Sequence, residues 1–114
     1  MPRIALEFSD GLQDTHDMQA ICDALFEALI QDPEISPAAL KVHAAPVPYW
    51  RIGTEPQTFA HVTFYLYAGR DDETKARLTE IVLTTMNTHM PTVGSLSVDA
   101  RDMNPAAYTK RVRG

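Results

Sequence analysis

Polar and apolar positions change period several times along the chain. Ile4, Leu6 and Phe8 alternate with Arg3 and Glu7, the two-residue period of a strand with one buried face. Ser9-Asp10-Gly11 breaks that pattern. Met18, Ile21, Cys22, Leu25, Phe26 and Leu29 then recur at intervals of three and four, which predicts an amphipathic helix of about four turns. Asp14 is placed to cap it, with Asp17 adding negative charge in the first turn. Pro33 and Pro37 close the helix. Lys41 to Ala45 reads as a short second strand, limited by Pro46 and Pro48, which lack an amide donor. Tyr49 and Trp50 lie in an extended segment before a turn at Gly53 to Pro56. Phe59 to Ala68 is the clearest strand. Ala60, Val62, Phe64 and Leu66 share one face; His61, Thr63, Tyr65 and Tyr67 share the other. Gly69-Arg70-Asp71 leads into a second helix with Leu78, Ile81, Val82 and Met86 as its apolar stripe. Asp71 with Lys75, and Glu73 with Arg77, form i,i+4 pairs near its start. Pro91 ends it, Ser95 to Ala100 alternates again, and an irregular arm is expected from Asp102 onward.

The order is therefore strand, helix, strand, repeated once. Ile4 in the first half corresponds to Phe59 or His61 in the second, although only the pattern repeats. Each half is long enough for a right-handed βαβ crossover. The predicted fold class is α/β (α+β): a four-stranded mixed sheet with both amphipathic helices on one face. The opposite face carries Thr63, Tyr65 and Tyr67 and is semi-apolar, so a symmetric oligomer is expected to cover it.

Length supports that picture. The chain has 114 residues, read as a single domain over 1–114, and a domain of this size buries a modest share of its surface alone. No apolar run approaches the roughly 20 residues needed to span a bilayer. No basic segment followed by an apolar one opens the chain, so no secretory leader is expected and cytoplasm is the default location. The single cysteine, Cys22, excludes an intrachain disulfide and a four-cysteine zinc site; on the helix stripe it reads as a buried structural residue.

The net charge of -5 argues against nucleic-acid binding, and the basic end at Lys110, Arg111 and Arg113 reads as a solvated or subunit-docking arm. Residues 1–40 hold eight acids and one base, Arg3, so any anion site must be a local cluster of the later cations. His16, His43, His61 and His89 lack metal-ligand spacing, and no glycine-rich phosphate loop is present.

Pro2 carries the most specific chemistry. If Met1 is removed, Pro2 becomes a secondary amine at the start of a strand. An α-amino group ordinarily titrates near 7.7–8.0, closer to neutrality than most other groups, and burial or nearby cations lower it. A neutral amine at pH 7 is a usable general base.

With Pro2 and its strand stand Glu7-Phe8-Ser9-Asp10, His61-Val62-Thr63, Ala68-Gly69-Arg70 before an acid-rich helix start, Leu96-Ser97-Val98, and Asn104-Pro105. In that order and spacing they resemble the tautomerase superfamily, and more closely its 5-carboxymethyl-2-hydroxymuconate isomerase branch. The resemblance implies a homotrimer of two-βαβ subunits with the N-terminal proline as catalytic base and no metal or organic cofactor. It implies that Pro2 and Arg70 are catalytic, Arg70 contacting a carboxylate or oxyanion. Lys41 falls where the family has a second arginine; lysine keeps the charge but loses the bidentate fork, and a shift of one or two residues would put His43 there instead. Tyr49 and Trp50 are candidates for the apolar wall around a planar conjugated substrate, or for a subunit boundary. His61 is expected at the subunit interface.

The implied activity is movement of a proton in a small unsaturated 2-hydroxy or 2-oxo carboxylate, serving aromatic-compound breakdown. A second reading is a non-catalytic oligomeric small-molecule-binding protein on the same fold, which follows if Met1 is retained or the strand-two change destroys the site. A third, a ferredoxin-like regulatory domain, predicts Pro2 facing bulk solvent.

Overall fold

Alternation along the first strand decides where everything else packs. The computed structural model describes residues 2–114; Met1, on whose removal the chemistry of Pro2 depends, lies outside the described residues. Strand β1 (Arg3–Ser9) turns Ile4, Leu6 and Phe8 inward, where each is essentially inaccessible to solvent. It is followed by α1 (Met18–Leu29), β2 (Lys41–Val47), β3 (Phe59–Tyr67), α2 (Asp72–His89) and β4 (Ser95–Met103). The sheet order is β2-β1-β3-β4. The outer pairs are parallel and the central β1–β3 pair is antiparallel, so two βαβ units meet at the middle of the sheet.

One core holds this together. Ala60, Val62, Phe64 and Leu66 of β3 lie beside Ile4, Leu6 and Phe8, under Leu25 and Leu29 of α1 and Leu78, Val82 and Met86 of α2. Both helices cover the same sheet face, as the pattern predicts. The other face presents Lys41, His43, Arg3, Ala5, His61, Thr63, Tyr65, Tyr67 and the polar positions of β4, none of them fully buried. On it the Arg3 guanidinium carbon sits 4.3 Å from the centroid of the Tyr65 ring, and His61 Nδ1 lies 2.7 Å from Ser97 Oγ.

Several local expectations change. Helix α1 starts at Met18 and is capped by Asp17, not Asp14: Asp17 Oδ1 accepts the Ala20 N–H at 3.0 Å, while Asp14 ends a single 3-10 turn at Leu12–Asp14. Asp71 caps α2, accepting the Thr74 N–H at 2.8 Å, so it is outside the helix that Lys75 occupies. Lys75 pairs instead with Asp72 and, across to β4, with Asp102. β2 runs through Pro46 to Val47 because it is an edge strand. The Lys41 N–H donates inward to the Pro2 carbonyl at 3.1 Å, and strand alternation then turns the Pro46 nitrogen outward, where no amide is needed. β4 continues past Ala100 to Met103, because the Ala68 N–H donates to the Met103 carbonyl and extends the pairing with β3. Only then does the arm begin, with Asn104 capping a 3-10 turn and Tyr108 packing edge-on against Tyr67.

Candidate active site

Pro2 is buried, one residue before β1, and continues the inward parity of Ile4 and Leu6. Its carbonyl accepts the Lys41 N–H, which ties the residue before β1 to the first residue of β2. A solvent-facing Pro2, the arrangement a regulatory domain predicts, is thereby excluded. Because β3 runs antiparallel to β1, with Arg3 opposite Tyr65, the end of β3 borders this same end of the sheet.

Arg70 stands at that end. β3 stops at Tyr67, and Gly69 turns the chain with a φ of 121°, which L side chains rarely adopt. The turn folds Arg70 back over the strand end, where Nη1 donates to the Tyr67 carbonyl at 3.3 Å. Nη2 donates to the Glu34 carbonyl at 3.2 Å, and Nε lies 3.3 Å from Glu34 Oε2. That last contact is an ion pair by distance but off line for a hydrogen bond, and Nε is left buried without a hydrogen-bond partner. Three acids, Asp71, Asp72 and Glu73, directly follow Arg70 in the chain. Its partner is Glu34, from the connection between α1 and β2.

That connection is held by a second arginine. Asp32 is buried and receives Arg77 Nε at 2.9 Å and Arg77 Nη2 at 3.1 Å, a two-pronged contact. Asp32 Oδ1 also accepts the Glu34 N–H at 3.0 Å. The hydrogen bonds from Arg77 hold the Asp32 carboxyl below its ordinary range; burial opposes this, and the Glu34 N–H reinforces it. Arg77 was expected to pair with Glu73 one turn away on its own helix. It reaches across to Asp32 because a buried carboxylate offers a bidentate acceptor. A chain of contacts thus runs from α2 through Asp32 and Glu34 to Arg70. Nothing in the sequence marks it: Asp32-Pro33-Glu34 reads only as a helix stop, and the two arginines are far away along the chain.

The depressed Asp32 carboxyl favours the folded state above the ordinary carboxylate range near pH 4, and that contribution is lost as pH falls through the folded value. Arg77→Ala is therefore expected to lower the thermal midpoint at pH 7 by on the order of 5 °C. The gap to wild type should shrink progressively as pH falls from about 4 through the depressed folded value, below which Asp32 is protonated in both proteins. Calorimetric scans across that range check it; a gap independent of pH contradicts it.

The remaining candidates do not converge on Pro2 within one chain. Lys41 adjoins Pro2 through the backbone, but its parity with Arg3 sends its side chain to the open sheet face, and His43 follows it there. Tyr49 and Trp50 follow Val47, which pairs with Ser9, at the far end of β1. Six residues of strand separate the two ends, about 20 Å. There Trp50 Nε1 donates to the Gln57 carbonyl at 2.9 Å and its ring packs 6.1 Å from Phe59, while Tyr49 is 88% exposed. A concavity of about 370 Å³ is lined by Trp50 and residues 51–57. One of about 680 Å³ lies between α2 and β4, around Thr79, Leu83, Thr84 and Leu96. Another, of about 270 Å³, lies beside Cys22, Val42 and His43. Neither Pro2 nor Arg70 lines them. Cys22 is buried, and burial, with Asp23 beside it, pushes its thiol up, away from nucleophilic use.

Two βαβ units forming a four-stranded mixed sheet with both helices on one face make a tautomerase-like fold. The match to a family model is more particular. It covers residues 2–111 and is described as 5-carboxymethyl-2-hydroxymuconate isomerase. The chain belongs to the 5-carboxymethyl-2-hydroxymuconate isomerase family. Among solved structures it is similar to a 5-carboxymethyl-2-hydroxymuconate delta-isomerase, with a TM-score of 0.80 at 20% identity over 99% of this chain and 89% of that one. It is similar also to a 5-carboxymethyl-2-hydroxymuconate isomerase from Deinococcus radiodurans R1, with a TM-score of 0.82 at 21% identity over 98% and 90%. A native fused 4-OT matches with a TM-score of 0.76 at 17% identity over 95% and 91%. At these identities the structures speak to fold. No curated protein matches by sequence. Among the described residues, no helix is long and apolar enough to cross a membrane, and no group of three metal-ligating side chains converges.

Proposed function

We propose that this isomerase moves a proton in a small unsaturated 2-hydroxy or 2-oxo carboxylate, as a cytoplasmic homotrimer, with Pro2 as the base once Met1 is removed. The observation that carries the reading is the placement of Pro2: buried, fixed by the Lys41 N–H, at the sheet end where Arg70 folds back. A neutral Pro2 nitrogen takes the proton of an enol hydroxyl or of a carbon next to a carbonyl. The electrons shift through the conjugated system, and the same nitrogen returns the proton at the distal carbon. Negative charge builds on oxygen during the shift, so a fixed guanidinium there lowers the barrier. Arg70 has terminal N–H groups beyond those given to Tyr67 and Glu34 to meet a carboxylate or oxyanion.

The open sheet face and the distant aromatic pair support a site shared between subunits. Lys41 and His43 lie on the face that a neighbour would cover, and Tyr49 and Trp50 protrude from the opposite end of the same chain. In a trimer they would wall a neighbour's Pro2, with Lys41 supplying charge across the boundary.

The test follows the ultraviolet absorbance of 2-hydroxymuconate-type and phenylenolpyruvate-type enols as they ketonise. Conversion by the protein with free Pro2, and sedimentation as three subunits, are expected; no conversion of either class sinks the reading. Trp50→Ala should lower kcat/KM by about tenfold, the worth of one large apolar contact, although Trp50 is far from its own Pro2. A Trp50→Ala trimer with undiminished kcat/KM would place the wall elsewhere.

A further inference from the structure

We propose that Glu34 is an internal carboxylate that occupies Arg70 in the empty site and yields it to the carboxylate of the substrate, so that Glu34 sets how strongly anionic substrates are held. The inference rests on the proposed role of Arg70. Three observations carry it. Glu34 Oε2 is 3.3 Å from Arg70 Nε, where an anion is held by charge, but the angle denies it a hydrogen bond and leaves Nε buried and unmatched. The contact is therefore poorer than the two parallel bonds an incoming carboxylate can make with a guanidinium. The two side chains are 23% and 44% exposed, respectively, so the pair is weak and displaceable. Finally, the Glu34 backbone stays fixed whatever its side chain does. Its N–H is held by Asp32, which Arg77 clamps, and its carbonyl still accepts Arg70 Nη2. The carboxylate of Glu34 can swing away without releasing the arginine it faces.

A competing ligand differs in sign from a structural support. Removing a support weakens binding; removing a competitor strengthens it. Adipate, a dicarboxylate that cannot tautomerise, is the probe, titrated by NMR into wild type, Glu34→Gln, Arg70→Ala and the double variant. Glu34→Gln should tighten adipate about two- to fivefold, the worth of a partly exposed ion pair. The uncharged 1,6-hexanediol should gain nothing. In the Arg70→Ala background the Glu34→Gln gain should vanish. With phenylenolpyruvate, the Glu34→Gln gain should appear in KM and not in kcat. Unchanged or weaker adipate binding by Glu34→Gln overturns the inference, as does an equal gain for the diol or a gain that survives Arg70→Ala. Failure of Arg70→Ala to weaken adipate, or no adipate binding at all, overturns instead the assignment of Arg70 as the carboxylate contact, and this inference with it.

Discussion

Pro2→Ala should lower kcat/KM for enol ketonisation by about 10²–10⁴-fold, the span of a positioned general base. Alanine in that place still ends in an amine after Met1 is removed, but a primary one on a freer backbone. The proline ring stops rotation about the N–Cα bond and so points the lone pair of its nitrogen in a fixed direction from the start of β1. The substitution also trims a buried side chain, so part of any loss could come from folding. The two are separable. The Lys41 N–H bond goes to the backbone carbonyl of residue 2 and survives in alanine, so circular dichroism and subunit number should be unchanged while turnover falls. A variant that keeps wild-type rates removes Pro2 from the mechanism.

Arg70→Ala should cost about ten- to a hundredfold in kcat/KM, the range of charge-assisted hydrogen bonds to an anion. The loss should concentrate in KM where Arg70 grips a carboxylate, and in kcat where it meets charge that develops only in the transition state. Arg70→Lys should recover part of it, keeping charge but not the planar fork. The structural share is bounded by the contacts given up, two backbone carbonyls and one off-line ion pair at a partly exposed site. Steady-state kinetics of the three proteins on one substrate, with melting curves beside them, provide the check. Equal kcat/KM in wild type and Arg70→Ala would contradict the assignment.

Strand parity made much of the fold legible. The alternation of Ile4, Leu6 and Phe8, and of Ala60 to Leu66, chose the buried sheet face without help from tertiary contacts. Helix positions followed from three-and-four spacing, but caps did not. Asp14 and Asp17 both suit an N-cap by type, and only the extra 3-10 turn after Gly11 gives the role to Asp17. Charge pairing was the least legible. Arg77 had a partner one turn away in Glu73, yet a buried acid 45 residues off in sequence holds it more tightly. Pro2 and Arg70 could be found by resemblance, and the antiparallel β1–β3 pairing explains why residues so far apart in sequence share one sheet end. Glu34 could not be found, since its partner depends on how the α1–β2 connection folds over the end of β3.

The central claim is that a free secondary amine at Pro2 does the chemistry. It is tested most directly in one protein carried in two states. Preparations with different fractions of retained Met1, set by aminopeptidase treatment and read by intact mass, are assayed for ketonisation by ultraviolet absorbance. Retained methionine makes the Pro2 nitrogen an amide with no basicity and moves the free amine one residue outward, to Met1. The account predicts a rate that rises in proportion to the fraction of chains beginning at Pro2 and extrapolates to zero when none do. A rate independent of that fraction would contradict it.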